Sequence, residues 1–80
     1  MAQNNTVYRV GDWVQNIQNG DMCEIIRILK VNDSVVVTYE IKFYKDMRPS
    51  KGLQRHASID HFKRYFIPSK AAQILYKDRA

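Results

Sequence analysis

"SVVVTYEIKF", residues 34–43, decides the fold. In an extended chain Val35, Val37, Tyr39, Ile41 and Phe43 fall on one side. Val36, Thr38, Glu40, Lys42 and then Tyr44 fall on the other. The odd set reads as core and the even set as solvent face, which is the signature of a strand on a half-buried sheet. Upstream, Asn32-Asp33 in "VNDSV" marks a turn. Before it, "MCEIIRILKV" (22–31) is a β-branched run apolar on both sides, with Ile25 and Leu29 sharing a face with Arg27 and Ile26 and Ile28 on the other. That pattern predicts a strongly bent strand. "QNGD" (18–21) is the strongest hairpin signal, because Asn19-Gly20 tolerates the positive φ of tight turns. "VGDWV" (10–14) opens the first strand after a Gly11-Asp12 turn.

Downstream of Phe43 the pattern stops. A long connection leads to "LQRHA", a short fourth strand. "SIDHF" (58–62) reads as one helical turn capped by Ser58, with Ile59 and Phe62 on one face. "KRYFIPS" (63–69) is a fifth strand closed by Pro68, and Ser69 starts a short C-terminal helix. The expected organisation is a disordered N-terminus at 1–6, one β domain at 7–68 and a helical tail at 69–80. The expected core includes Val14, Ile25, Val35, Val37, Tyr39, Ile41 and Phe62.

Eighty residues allow one small core that buries only about 60% of the unfolded chain's surface. The single cysteine, Cys23, excludes an internal disulfide framework. "IIRIL" and "SVVVTY" fall far short of the ~20 apolar residues that span a bilayer, and "MAQNNTVYRV" lacks the pattern of a secretory signal. The expectation is a cytoplasmic protein with no membrane partner. The net charge of +5 divides unevenly. Residues 1–40 carry three basic side chains against five acids, and residues 41–80 carry ten against three. Clustered positive charge raises a local field that favours an anionic partner.

Five short strands, a "GDWV" opening, a long connection before the fourth strand and a helical turn before the last together resemble the Src-homology-3-like small β-barrel. The resemblance covers residues 7–68 and implies a closed five-stranded barrel. Plasmid-type dihydrofolate reductases share this layout, but their active-site strand has no counterpart here, where "YFIPS" stands. The "ALYDY" opening of the family's peptide-binding domains is also missing. The resemblance therefore implies a scaffold and names no ligand.

The densest charge lies in "KFYKDMRPSKGLQRH" (42–56), with five Lys or Arg residues. Lys45, Arg48, Lys51 and Arg55 in a loop with Tyr44 at its base suit phosphate contacts and base stacking. A charged, solvated loop is the plainer alternative. Lys63 and Arg64 would extend the patch if strands four and five pair, or would guard an edge strand against aggregation. Trp13 neighbours Val14 and so faces the opposite way, as a partly exposed stacking or interface group or packed under the tail on Leu75 or Tyr76. Cys23, His56 and His61 lack zinc-type spacing, so no metal is expected. Ser58, Asp60 and His61 are too crowded in one turn for a hydrolytic relay. No cofactor motif appears, and no enzyme is expected. The sequence thus predicts a non-enzymatic module whose partner is nucleic acid, DNA or RNA. The alternative is an accessory or inhibitor module, of the kind phages and mobile elements encode, that docks on an acidic protein surface. A homo-oligomer formed through an exposed edge strand or through helix 70–78 is the third possibility.

Overall fold

A computed structural model of the chain describes residues 7–69. The expected frayed N-terminus, and the tail helix except for Ser69, lie outside the described residues. The elements run β1 (Trp13–Asn16), β2 (Met22–Val31), β3 (Ser34–Phe43), β4 (Gln54–Ser58), α1 (Ile59–Tyr65) and β5 (Phe66–Pro68). The strands form one antiparallel sheet in the order β4-β3-β2-β1-β5.

The alternation of 34–43 produces β3 as expected, with Val37, Tyr39 and Ile41 buried on one face. The 32–33 turn is a two-residue hairpin in which Asn32 takes φ 56°. At 17–20 the turn is longer than an Asn-Gly pair requires. Asn16 N–H donates to the Asp21 carbonyl at 2.9 Å and Gly20 N–H to the Asn16 carbonyl at 2.8 Å, and only Gly20 has positive φ.

Two bulges reassign faces that strict alternation had fixed. In β2, Ile25 pairs with Tyr39 but Arg27 pairs with Thr38, so Ile26 is the extra residue. The parity then flips: Ile28 joins Ile25 on the core side, and Leu29 turns outward, 47% exposed. This is the bend that the doubly apolar run demanded, although it separates Leu29 from Ile25. In β3, Cys23 pairs with Ile41 and Met22 with Phe43, which leaves Lys42 as the extra residue. Phe43 is buried, but on the side of the sheet away from Ile41.

The core lies on one face of the sheet, under α1. Val14, Cys23, Ile25, Val37, Tyr39 and Ile41 pack with Tyr8, Phe62 and Phe66. Val35, expected inside, is only half-buried at the hairpin end of the β2–β3 ladder, beyond the reach of β4. Phe62 is fully buried, with its ring stacked on Phe66 (4.2 Å, 6°) and edge-on to Tyr8 (5.0 Å, 88°). The Tyr8 hydroxyl donates to the Phe66 carbonyl at 2.8 Å. Ser58 caps α1 as expected, its Oγ accepting from His61 N–H at 3.2 Å.

The expected barrel does not close. β4 pairs only with β3 and β5 only with β1, so both remain edges. The chain between them is taken up by α1, whose Phe62 fills the core side that strand closure would have covered. The edges carry their own protection. β5 is three residues long and ends in Pro68, and β4 carries Arg55 and His56.

Phe62→Ala should remove about 3–5 kcal/mol. At about 0.05–0.15 kcal/mol per residue the whole domain holds about 4–12 kcal/mol, so a urea midpoint lowered by roughly half is the expected result. Cys23 is fully buried, and burial followed by the charge of Asp21 pushes its thiol up to about 12. Native protein at pH 8 should therefore react with iodoacetamide roughly a thousandfold more slowly than unfolded protein, from thiolate fraction alone. Equal rates would place Cys23 at the surface.

Candidate functional site

The 44–53 connection is built rather than loose. Tyr44 N–H donates to the Arg48 carbonyl at 2.9 Å and Met47 N–H to the Tyr44 carbonyl at 2.8 Å, closing a tight turn in which Met47 adopts φ 68°. The chain then returns along β3, with Ser50 N–H donating to the Lys42 carbonyl and Ile41 N–H to the Leu53 carbonyl, each at 2.9 Å. Both ends of the loop are thus tied to β3, and the side chains it presents sit on a fixed backbone.

Tyr44, half-buried, is the centre of this surface. It borders three adjoining cavities. The first, about 700 Å³, also has Arg48, Lys51 and Leu53 on its walls. The second, about 410 Å³, has Asp21, Tyr39, Leu53 and Arg55. The third, about 550 Å³, has Asp21, Lys45, Asp46 and Arg48. The structure therefore brings Lys45, Arg48, Lys51 and Arg55 around Tyr44, and all four cations are exposed.

Their charges are not equally available. The Arg48 guanidinium lies 5.0 Å from the Tyr44 ring centroid, and its Nε donates to Asp46 Oδ2 at 2.8 Å. The side-chain bond from Arg48, then the backbone bond from the same residue, hold the Asp46 carboxyl below its usual range. Lys42, the fifth cation of the stretch, serves the other face of the sheet. It bridges Glu40 at 3.2 Å and Glu24 at 3.3 Å. Burial pulls its pKa down, but the bonds to Glu40 and Glu24 outweigh burial and leave it above its ordinary value.

Three of the expected site residues stand elsewhere. Trp13 faces away from Val14, as alternation requires, but it is 8% exposed rather than open. The Lys42 ammonium lies 6.0 Å from its ring centroid, at the edge of cation–π range. Trp13 is thus a packed group of the outer face, beside the Lys42 charge, and it offers no free stacking surface. Its suggested partners Leu75 and Tyr76 lie outside the described residues. Lys63 and Arg64 belong to α1 and not to the fifth strand, since the helix continues through Tyr65. There they occupy the last turn, where positive charge complements the helix dipole. β4 and β5 do not pair, and neither residue borders the Tyr44 cavities.

The residues that sequence reasoning missed are Asp21 and Tyr39. Asp21 read as a hairpin residue and Tyr39 as core. The β2–β3 register, which sets Met22 against Phe43, places Asp21 beside the base of the loop. Tyr39 pairs with Arg55 across β3 and β4. Burial raises the Asp21 carboxyl, with the Arg55 charge acting in the opposite direction. Burial also raises the Tyr39 phenol.

The fold and site together define a small antiparallel β protein with an aromatic-centred, mostly basic loop surface. No protein-family model, no curated protein and no solved structure matches this chain. Among the described residues no group of three His, Cys, Asp or Glu side chains could hold a metal ion, and no helix is long and apolar enough to cross a membrane.

Gly20 couples the hairpin to the loop. At φ +82° a Cβ there would stand 3.0 Å from Lys45 Cγ, so the lysine stem lies flat against it. Gly20→Ala should cost about 1–2 kcal/mol and displace Lys45. Adding Lys45→Ala removes the Cγ and Cδ contacts but keeps Cβ at 3.1 Å, so it should recover only a fraction of that loss, as read from thermal melts of the two variants.

Proposed function

We propose that the protein is a non-enzymatic binding module that holds nucleic acid by its phosphates across the 44–55 surface. One observation carries the reading: four exposed cations and a half-buried tyrosine share one contiguous, backbone-fixed surface bordered by three cavities. Phosphate recognition needs cations spaced along a groove, and unpaired bases need an aromatic or guanidinium plane to stack on. Arg48 over Tyr44 supplies both planes. Lys45, Lys51 and Arg55 have no carboxylate within salt-bridge distance among the described residues, so they supply most of the free charge. We read the open sheet as the Src-homology-3-like layout left unclosed, a scaffold that leaves one end of the sheet for the loop. Docking on an acidic protein surface would use the same cations. Nucleic acid is preferred because it also uses Tyr44 and the cavities.

Three to four neutralised phosphates should give a slope of log affinity against log salt of about −3 to −4 on duplex DNA and about −2 to −3 on single strands. Replacing Lys45 and Lys51 together by Ala should flatten the duplex slope by about 2 and weaken all sequences alike. Fluorescence anisotropy over 25–200 mM salt would measure both. No binding to any oligonucleotide at 25 mM salt would overturn the reading in favour of a protein partner.

A further inference from the structure

The 410 Å³ cavity holds more polar chemistry than a phosphate grip requires. Asp21 and Arg55 lie on its walls, yet no ion pair within 4 Å joins them. Tyr39 and Tyr44 also border it, and among the described residues neither hydroxyl has a hydrogen-bond partner. The Asp21 backbone is held by Asn16 and Asn19, through Asn16 N–H to the Asp21 carbonyl (2.9 Å) and Asp21 N–H to Asn19 Oδ1 (2.9 Å). Its carboxylate is left without a donor, on an anchored turn. A carboxylate, a guanidinium and two phenols thus share a recess of ligand-binding size, each with hydrogen-bonding capacity unspent.

We propose that this recess takes an unpaired guanine base from a single strand whose phosphates lie on the neighbouring loop, an inference that rests on the nucleic-acid reading above. Guanine carries the two paired edges that a carboxylate and a guanidinium on one recess can each meet. Its N1–H and exocyclic N2–H₂ donate side by side, matching the two oxygens of Asp21. Its O6 and N7 accept side by side, matching the fork of Arg55. Adenine reverses both relations, placing an N1 lone pair toward the carboxylate and an amine toward the guanidinium. Cytosine also turns a lone pair to Asp21, and the pyrimidines lack the N7 acceptor. Tyr44 borders both this recess and the 700 Å³ cavity beside it, so one ring stands where the base leaves the backbone path. A splayed base read on its edges beside an aromatic is how single strands are distinguished in sequence.

The unliganded protein bears a cost for this arrangement. Burial raises the Asp21 pKa above its value in the unfolded chain, despite Arg55. An acid raised on folding favours the protonated native state, so its contribution to stability falls as pH rises through the folded pKa. At neutral pH, Asp21→Asn should therefore leave Tm unchanged or higher.

The test compares an octathymidylate with the same octamer carrying one central guanine, as DNA and as RNA-type uridylate, at 50 mM salt. Guanine should bind roughly tenfold tighter, the order expected of one bidentate pair. Hypoxanthine in its place, lacking the exocyclic amine but keeping N1–H, should lose part of that preference, and Asp21→Asn, with its Tm intact, should lose more. Equal affinity for all octamers, with the expected salt slope, would overturn the guanine site and leave the phosphate reading standing. Hypoxanthine equal to guanine would show that the exocyclic amine is not read, removing the paired-donor match to Asp21, and overturn the assignment. Guanosine monophosphate binding as tightly as the octamer would move the site to free nucleotides and overturn the strand reading. No binding of any octamer would overturn both proposals.

Discussion

The ring of Phe62 is the contact on which the rest of the structure depends. It is fully buried at the meeting point of three separate stretches of chain: Tyr8 before the sheet, Tyr39 in its centre and Phe66 at the start of its last strand. Helix α1 has seven residues, far below the length at which a helix is stable alone. It persists because Ser58 caps its first turn and Phe62 anchors its inner face. Ser58 is also the last residue of β4, and Phe66, the C-cap, is the first of β5. Seating Phe62 therefore fixes the path of both edge strands at once. Through β4 it sets Arg55 opposite Tyr39, and hence one wall of the recess.

What the sequence showed and what it hid divide along the reach of the interactions. The β3 alternation as far as Ile41, the Asn32-Asp33 turn and the Ser58 cap are local, and all three stand as read. The bend of β2 was legible in its doubly apolar run, but which residue is extra there, and the Lys42 bulge altogether, were hidden, because the position of an extra residue is chosen by packing across the sheet. The consequences were large. Leu29 turned to solvent and Phe43 to the outer face. Barrel closure failed for a similar reason. Whether the fourth and fifth strands meet depends on what fills the space between them, and here that is a helical ring. The cations of the site were legible, since charge composition is visible in any order. The recess was not, because Asp21 and Arg55 come together only through the β2–β3–β4 pairing.

The same pairing divides the positive charge into two uses. Lys42 lies between Glu24 and Glu40 on the outer face; partly buried and bound to two carboxylates, it is a poor ligand for anything else. Arg48 is held by Asp46 but exposed, so that bond is weak and a phosphate could displace it. Lys45, Lys51 and Arg55 are left to act outward. Counting five cations in residues 42–56 thus overstates the field the loop presents. The salt dependence of any polyanion bound there should track the unpaired set and not the sum.

The distribution of unmet polar groups favours the proposed site over a merely solvated loop. A loop whose charges serve only solubility has no reason to fold back on a strand through four backbone bonds or to hold a tyrosine half-buried at its centre. Nor does solubility require a carboxylate withdrawn from water far enough to raise its pKa, with an arginine nearby yet no ion pair formed. Closing Asp21 onto Arg55 would satisfy both groups within the chain. Keeping them apart preserves two complementary faces, a double acceptor and a double donor, in one recess. A bound group that supplied donors to one and acceptors to the other would restore the hydrogen bonds the folded chain leaves open. Affinity there would draw on an electrostatic deficit already present in the free protein, and would fall on ligands whose polar edge is ordered the same way.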